Sequence, residues 1–133
     1  YAPFSKSRDC GLTWEYTKSP FPSLCSGQRP VLKKLSNGAI LLISFTPHSN
    51  WISTTEKIKE STGNVIEVKG MFAAVSLDEG KTWTNIKSIP LYSLRKDYSE
   101  SYGYLSCVQT PDNMIHLVSS NYYYQFNIAW LMK

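Results

Sequence analysis

An eight-residue pattern, Ser-x-Asp-x-Gly-x-Thr-Trp, occurs at Ser7–Trp14 and again 69 residues later at Ser76–Trp83, with five of eight positions identical. A motif that returns in register marks a chain built from repeated supersecondary units. A second self-match runs beside it at an offset of 75, with Arg29–Ser44 lying over Tyr104–Ser119. Each residue type in the short motif has a physical reason to be there. Asp9 and Asp78 can accept backbone N–H bonds from their own turn. Gly11 and Gly80 supply positive φ, Thr13 and Thr82 restart a strand, and Trp14 and Trp83 are expected to fill the space between adjacent sheets.

The segments between the motifs are short runs rich in Val, Ile, Tyr and Trp, broken by turn residues. Pro30 to Leu35 and Ala39 to Thr46 flank Ser36-Asn37-Gly38, and Asn-Gly between two such runs predicts a hairpin with a type I′ turn, positive in φ at both central residues. Gly70 to Ser76 and Thr82 to Lys87 flank Asp78-Glu79-Gly80. The last third repeats the scheme, with Tyr104 to Thr110, the turn Pro111-Asp112-Asn113, Met114 to Ser120 and a strand from Gln125 to Leu131. The one helix-like stretch, Thr54 to Ser61, is short and rich in Lys and Glu and reads as an inserted loop. The chain is therefore expected to be all-β.

Composition narrows the function classes. At 133 residues the chain is one domain, and 42% hydrophobic against 18% charged residues is enough to fill a core. The net charge of +4 favours anionic ligands, but Lys and Arg are scattered and no nucleic-acid recognition motif occurs. The longest apolar run, Ala39 to Ile43, is strand-sized, so no membrane span is expected. The N-terminal Tyr-Ala-Pro-Phe-Ser does not read as a signal peptide. Cys10, Cys25 and Cys107 form no Cys-x-x-Cys pair. They read as small buried or half-buried residues, with a Cys10–Cys25 bridge open in an oxidising compartment. No metal or cofactor is expected, since phosphate-loop, Rossmann, zinc-protease and Gly-x-Ser-x-Gly motifs are missing.

The two offsets alternate as successive strands of one repeating four-stranded unit would, and such a unit is a propeller blade. Here the sequence resembles the sialidase (neuraminidase) superfamily, whose Asp-box, or bacterial neuraminidase repeat, is the pattern at 7–14 and 76–83. The resemblance covers residues 1–133 as the C-terminal portion of such a protein. It implies a six-bladed β-propeller, of which about two and a half blades lie here, so the remaining blades must come from sequence or a partner not in this chain. It also implies that Asp9, Gly11, Trp14, Asp78, Gly80 and Trp83 are structural.

For the site, the resemblance implies a Tyr nucleophile, a Glu that activates it, an Asp acid/base and three Arg that grip the sialic acid carboxylate. Tyr104, shortly before Pro111-Asp112-Asn113, is the candidate nucleophile; a phenol with a pKa near 10 needs a carboxylate to take its proton. Where the family has Glu, Arg and Arg, this chain has Arg29, Phe45 and Lys69. The internal repeat puts Arg29 and Tyr104 at equivalent positions of successive blades, both expected to point toward the axis, where a guanidinium could clamp a carboxylate or sulfate. Gln28, Trp51 and His116 are further candidates for substrate binding. Trp51 could stack on a pyranose from a loop shared with His48, and Asp97 and Glu100 are candidate acid/bases in a polar loop. Two functions follow: an exo-acting, sialidase-like glycoside hydrolase on sialic acid or another acidic sugar, or a non-catalytic carbohydrate-binding propeller. By resemblance the protein is expected to be secreted or periplasmic.

Overall fold

The structure, a computed structural model, describes residues 1–91 and 99–133. It is all-β, with 48% strand and 3% helix. In chain order the strands are β1 (Pro3–Lys6), β2 (Glu15–Lys18), β3 (Gln28–Arg29), β4 (Val31–Lys34), β5 (Ile40–Phe45), β6 (His48–Ser49), β7 (Ile52–Ser53) and β8 (Thr55–Lys59). They continue as β9 (Val65–Lys69), β10 (Met71–Ser76), β11 (Thr84–Ser88), β12 (Gly103–Tyr104), β13 (Ser106–Gln109), β14 (Met114–Val118) and β15 (Tyr123–Asn127), followed by α1 (Ile128–Leu131).

The centre is a four-stranded sheet in the order β11-β10-β5-β4. Side chains alternate across a strand, and here both sets are apolar. Leu41, Ile43, Phe45, Ala73 and Val75 join Ile115, Leu117 and Phe126 of the sheet β13-β14-β15 in one core. Phe72 and Ala74 face the other way, into a second core with Phe21, Ile58, Val68 and Trp83, against which Phe4, Ile40 and Leu42 also pack. Full burial stabilises by about 1.5–3 kcal/mol for each large side chain, so this two-sided sheet holds the three layers together.

Both Asp-box turns form with the same bonds. The Asp9 carboxylate accepts from the Thr13 amide at 2.9 Å, the Thr13 hydroxyl at 2.6 Å and the Ser7 hydroxyl at 2.8 Å. The Asp78 carboxylate accepts from the Thr82 amide at 2.8 Å, the Thr82 hydroxyl at 2.6 Å and the Ser76 hydroxyl at 2.9 Å. Cys10 and Gly11 have φ of 58° and 89°, and Glu79 and Gly80 have 60° and 79°, so each turn uses two consecutive left-handed residues. These donors, the Thr hydroxyl first, hold each carboxyl at about 2, below its ordinary 3.8. A depressed folded pKa contributes stability that is present above the unfolded value and lost as pH falls through the folded one, here between 3.8 and about 2. Asp78→Asn should therefore lower the urea midpoint at about pH 7 and narrow the gap between its midpoints at about pH 7 and about pH 2.5 relative to wild type. An unchanged gap would remove Asp78 from the acid response.

Several expectations need correction. The Ser36-Asn37-Gly38 hairpin forms, but only Gly38 has positive φ, 88°, so the turn is not type I′. Gly38 donates to the Leu35 carbonyl at 2.9 Å and Leu35 to that of Ala39 at 2.7 Å, which is a type I turn followed by a left-handed bulge residue. The loops Glu60–Asn64 and Thr110–Met114 have the same bond pair, with Gly63 and Asn113 left-handed. Thr54 to Ser61 is not a loop, since β8 pairs antiparallel with β9 and buries Ile58 and Val68. The last strand stops at Asn127, whose side chain accepts from the Trp130 amide at 2.9 Å and caps α1. Trp83 is buried as expected, but Trp14 is 63% exposed and fills no space between sheets. The three cysteines are free, and Cys10 is exposed.

Candidate functional site

Two short strands carry the pair anticipated from the internal repeat. β3 and β12 pair in parallel, Gly103 opposite Gln28 and Tyr104 opposite Arg29. The register is secured on either side by the Gly103 amide donating to the Gly27 carbonyl at 2.9 Å and the Leu105 amide to the Arg29 carbonyl at 3.1 Å. Parallel neighbours place side chains of one register on one face, and the Arg29 guanidinium carbon lies 4.4 Å from the Tyr104 ring centroid. Both residues are exposed. The one ion pair among the described residues is Arg8–Glu15, so no described carboxylate answers the Arg29 guanidinium. Stacking on an aromatic face fixes the guanidinium plane without neutralising it.

Gln28, the neighbour of Arg29, is buried. Its amide donates to the carbonyls of Thr46 and Ser101, both at 2.8 Å, and accepts from the Cys25 amide at 2.7 Å. Its side chain thus ties β3 to the segments at Cys25, Thr46 and Ser101. Phe45 is also fully buried, inside the main core.

Lys69 instead lines a pocket of about 550 Å³ together with Trp51, Ser53, Glu100, Tyr102 and Asn121. Trp51 sits in the two-residue turn of the hairpin β6–β7, after Asn50, with φ of 65° and 48° respectively. A bulky residue in this region is unusual, and the conformation costs on the order of 1–3 kcal/mol unless its surroundings hold it. Here they do. His48 stacks on Trp51 at 5.0 Å between centroids, Tyr102 lies at 4.8 Å, and a Cβ on Gly27 would come within 3.4 Å of the indole. The His48 Nε2 donates to the Ser26 carbonyl at 2.8 Å, which fixes the imidazole under the indole. Trp51 nevertheless remains 56% exposed.

Glu100, the candidate acid/base of the polar loop, is not turned to solvent. It is buried and accepts from the Ser119 hydroxyl at 2.9 Å, the Tyr124 hydroxyl at 2.6 Å and the Asn121 amide at 3.5 Å. Asp97 lies outside the described residues. The Tyr104 amide donates to the Ser120 hydroxyl at 3.0 Å, and among the described residues no carboxylate meets its phenol. The phenol that does meet a carboxylate is Tyr124, against Glu100. Nothing in the sequence signals this pair, because its members are 24 residues apart on unrelated segments.

His116 points away from Ile115 and Leu117 as expected, and both ring nitrogens are engaged within its own sheet. Nδ1 lies 2.6 Å from the Tyr123 hydroxyl and Nε2 3.1 Å from that of Thr110. The Thr110 hydroxyl and the Met114 amide also pull the Asp112 carboxyl below its ordinary value. No group of three or more His, Cys, Asp or Glu side chains is placed to hold a metal among the described residues. No helix among them is long and apolar enough to cross a membrane.

Fold and site together define an all-β protein whose short parallel strand pair presents a guanidinium, unanswered by any carboxylate among the described residues, on an exposed phenol ring. Searches of protein-family models, curated proteins and solved structures return no match to this chain.

Proposed function

We propose that the chain is part of a sialidase-like β-propeller, completed by further blades, that binds an acidic sugar at the β3–β12 strand ends without hydrolysing it. The observation that carries this reading is Arg29, exposed, held over Tyr104 and paired with no carboxylate among the described residues. A guanidinium so placed can take a carboxylate or sulfate through two parallel hydrogen bonds. The pocket walled by Trp51, Tyr102 and Asn121, which Arg29 and Tyr104 do not line, offers a pyranose rings to stack on and one side-chain amide for a hydroxyl. Hydrolysis by Tyr104 lacks its base among the described residues, since the residue opposite Tyr104 is Arg29. Export from the cytoplasm belongs to the same proposal and rests on the resemblance.

The test is calorimetric titration with 3′-sialyllactose, a uronate disaccharide and lactose. The charged sugars should bind and lactose should not, and Arg29→Ala should weaken binding by about 10- to 100-fold, the worth of a hydrogen-bonded charge. Equal binding of lactose, or an Arg29→Ala variant as tight as wild type, would overturn the reading. A second reading, hydrolysis, draws on Glu100, a carboxylate in the pocket wall. Turnover of a sialoside that is lost in Glu100→Gln while the sugar still binds would establish it over the first.

A further inference from the structure

A second groove lies apart from this site, between the β1–β2 hairpin and the second Asp-box turn, and it shares no residue with the pocket around Trp51. Its volume is about 360 Å³, room for one or two sugar rings. Four cations line it, Lys6, Arg8, Lys18 and Lys81, against one carboxylate, Glu15. The cations are held largely by groups that leave their charge intact. The Lys6 ammonium donates to the Glu79 carbonyl at 2.9 Å, and the Lys18 ammonium lies 5.1 Å over the Tyr1 ring. Glu15 answers Arg8 alone, at 3.8 Å, with both side chains about 70% exposed (71% and 68%). So among the described residues the lining carries three more cations than carboxylates around one concave surface, and Phe4 adds an apolar side chain to it.

From this geometry we infer that the groove is an accessory site for an anionic polysaccharide, one that carries a carboxylate or sulfate on successive residues. A ligand with one charge per sugar would meet the lysines at its rim and lay a ring face on Phe4. Single-stranded nucleic acid fits less well, because it uses exposed aromatic platforms for its bases, and the larger ring here, Trp83, is 3% exposed. The site is independent of Arg29, so either can fail without the other.

The experiment is affinity electrophoresis of the whole chain through gels containing polygalacturonate, dextran sulfate or neutral dextran. Wild type and the variant Lys6→Gln/Lys18→Gln/Lys81→Gln are run beside Arg29→Ala. All three lysines are polar, with ammonium groups at the groove rim, so the triple variant is expected to keep the wild-type far-UV spectrum. Retardation by one or both charged polymers and not by dextran is expected. It should drop at least about 10-fold in the triple variant, persist in Arg29→Ala, and weaken as salt rises. Polygalacturonate alone or dextran sulfate alone would assign the carboxylate or the sulfate. Equal retardation by neutral dextran, full retardation of the triple variant, or equal affinity for single-stranded DNA would overturn the proposal.

Discussion

Trp83→Ala should destabilise the protein by about 3–5 kcal/mol, whereas Trp14→Ala, the same change in the same motif, should cost about 1 kcal/mol or less. The two tryptophans end identical turns, and only what covers them differs. Trp83 is 3% exposed, with Phe21 at 5.1 Å and Phe4 at 6.3 Å, both edge-on. Removing it opens a void among Phe21, Phe72 and Ile86, in a core whose other members cannot collapse without shifting β10. Trp14 retains a 3.1 Å bond from its indole N–H to the Gly11 carbonyl but otherwise faces solvent. Urea unfolding of the two variants measures the difference directly. Equal losses would mean that Trp14 is covered in solution by a surface this chain does not show.

Gly70→Ala should be nearly as damaging, about 2–4 kcal/mol, and should disturb the pocket as well. Gly70 has φ of 77°, and a Cβ there would meet the Glu100 carbonyl oxygen at 2.7 Å and the Ser99 Cβ at 2.9 Å. Its backbone cannot retreat, because its amide donates to the Thr46 hydroxyl and its carbonyl accepts from the Thr46 amide, both at 2.9 Å. The clash must therefore push the 99–101 segment outward, and with it the carboxylate that Ser119, Asn121 and Tyr124 hold. Gly38→Ala is the control: φ is similarly positive, 88°, but a Cβ there meets nothing within 4 Å, so only the backbone cost of about 1 kcal/mol remains. Similar losses in the two variants would show that contact with the pocket wall is not what makes Gly70 necessary.

What the sequence made legible was what repeats or punctuates. The Asp-boxes and the equivalence of Arg29 and Tyr104 followed from aligning the chain with itself, and the β4–β5 and β13–β14 hairpins from the turn residues between their strands. The β8–β9 arm was misread because it is a thin ribbon. Glu56, Lys57, Lys59 and Glu67 dominate its composition, and few of its residues, Ile58 and Val68 among them, reach the core. Asn37-Gly38 suggested the wrong turn because dipeptide preference does not fix loop length, and one further residue turns a two-residue reversal into a bulge. The Trp51 turn and the Glu100–Tyr124 contact were not legible at all. Both depend on segments far apart in sequence converging on Gly27, Tyr102 and Ser119, and no local pattern records such convergence.

The strand Met71–Ser76 has a consequence for how the molecule breathes. All six residues are buried, and β5 and β11 bond it along both edges. Its amide protons can therefore reach water only when the sheets on its two faces have come away, so they should be the last in the chain to exchange with deuterium. Those of β1 and β2, a ribbon open along its length, should be among the first.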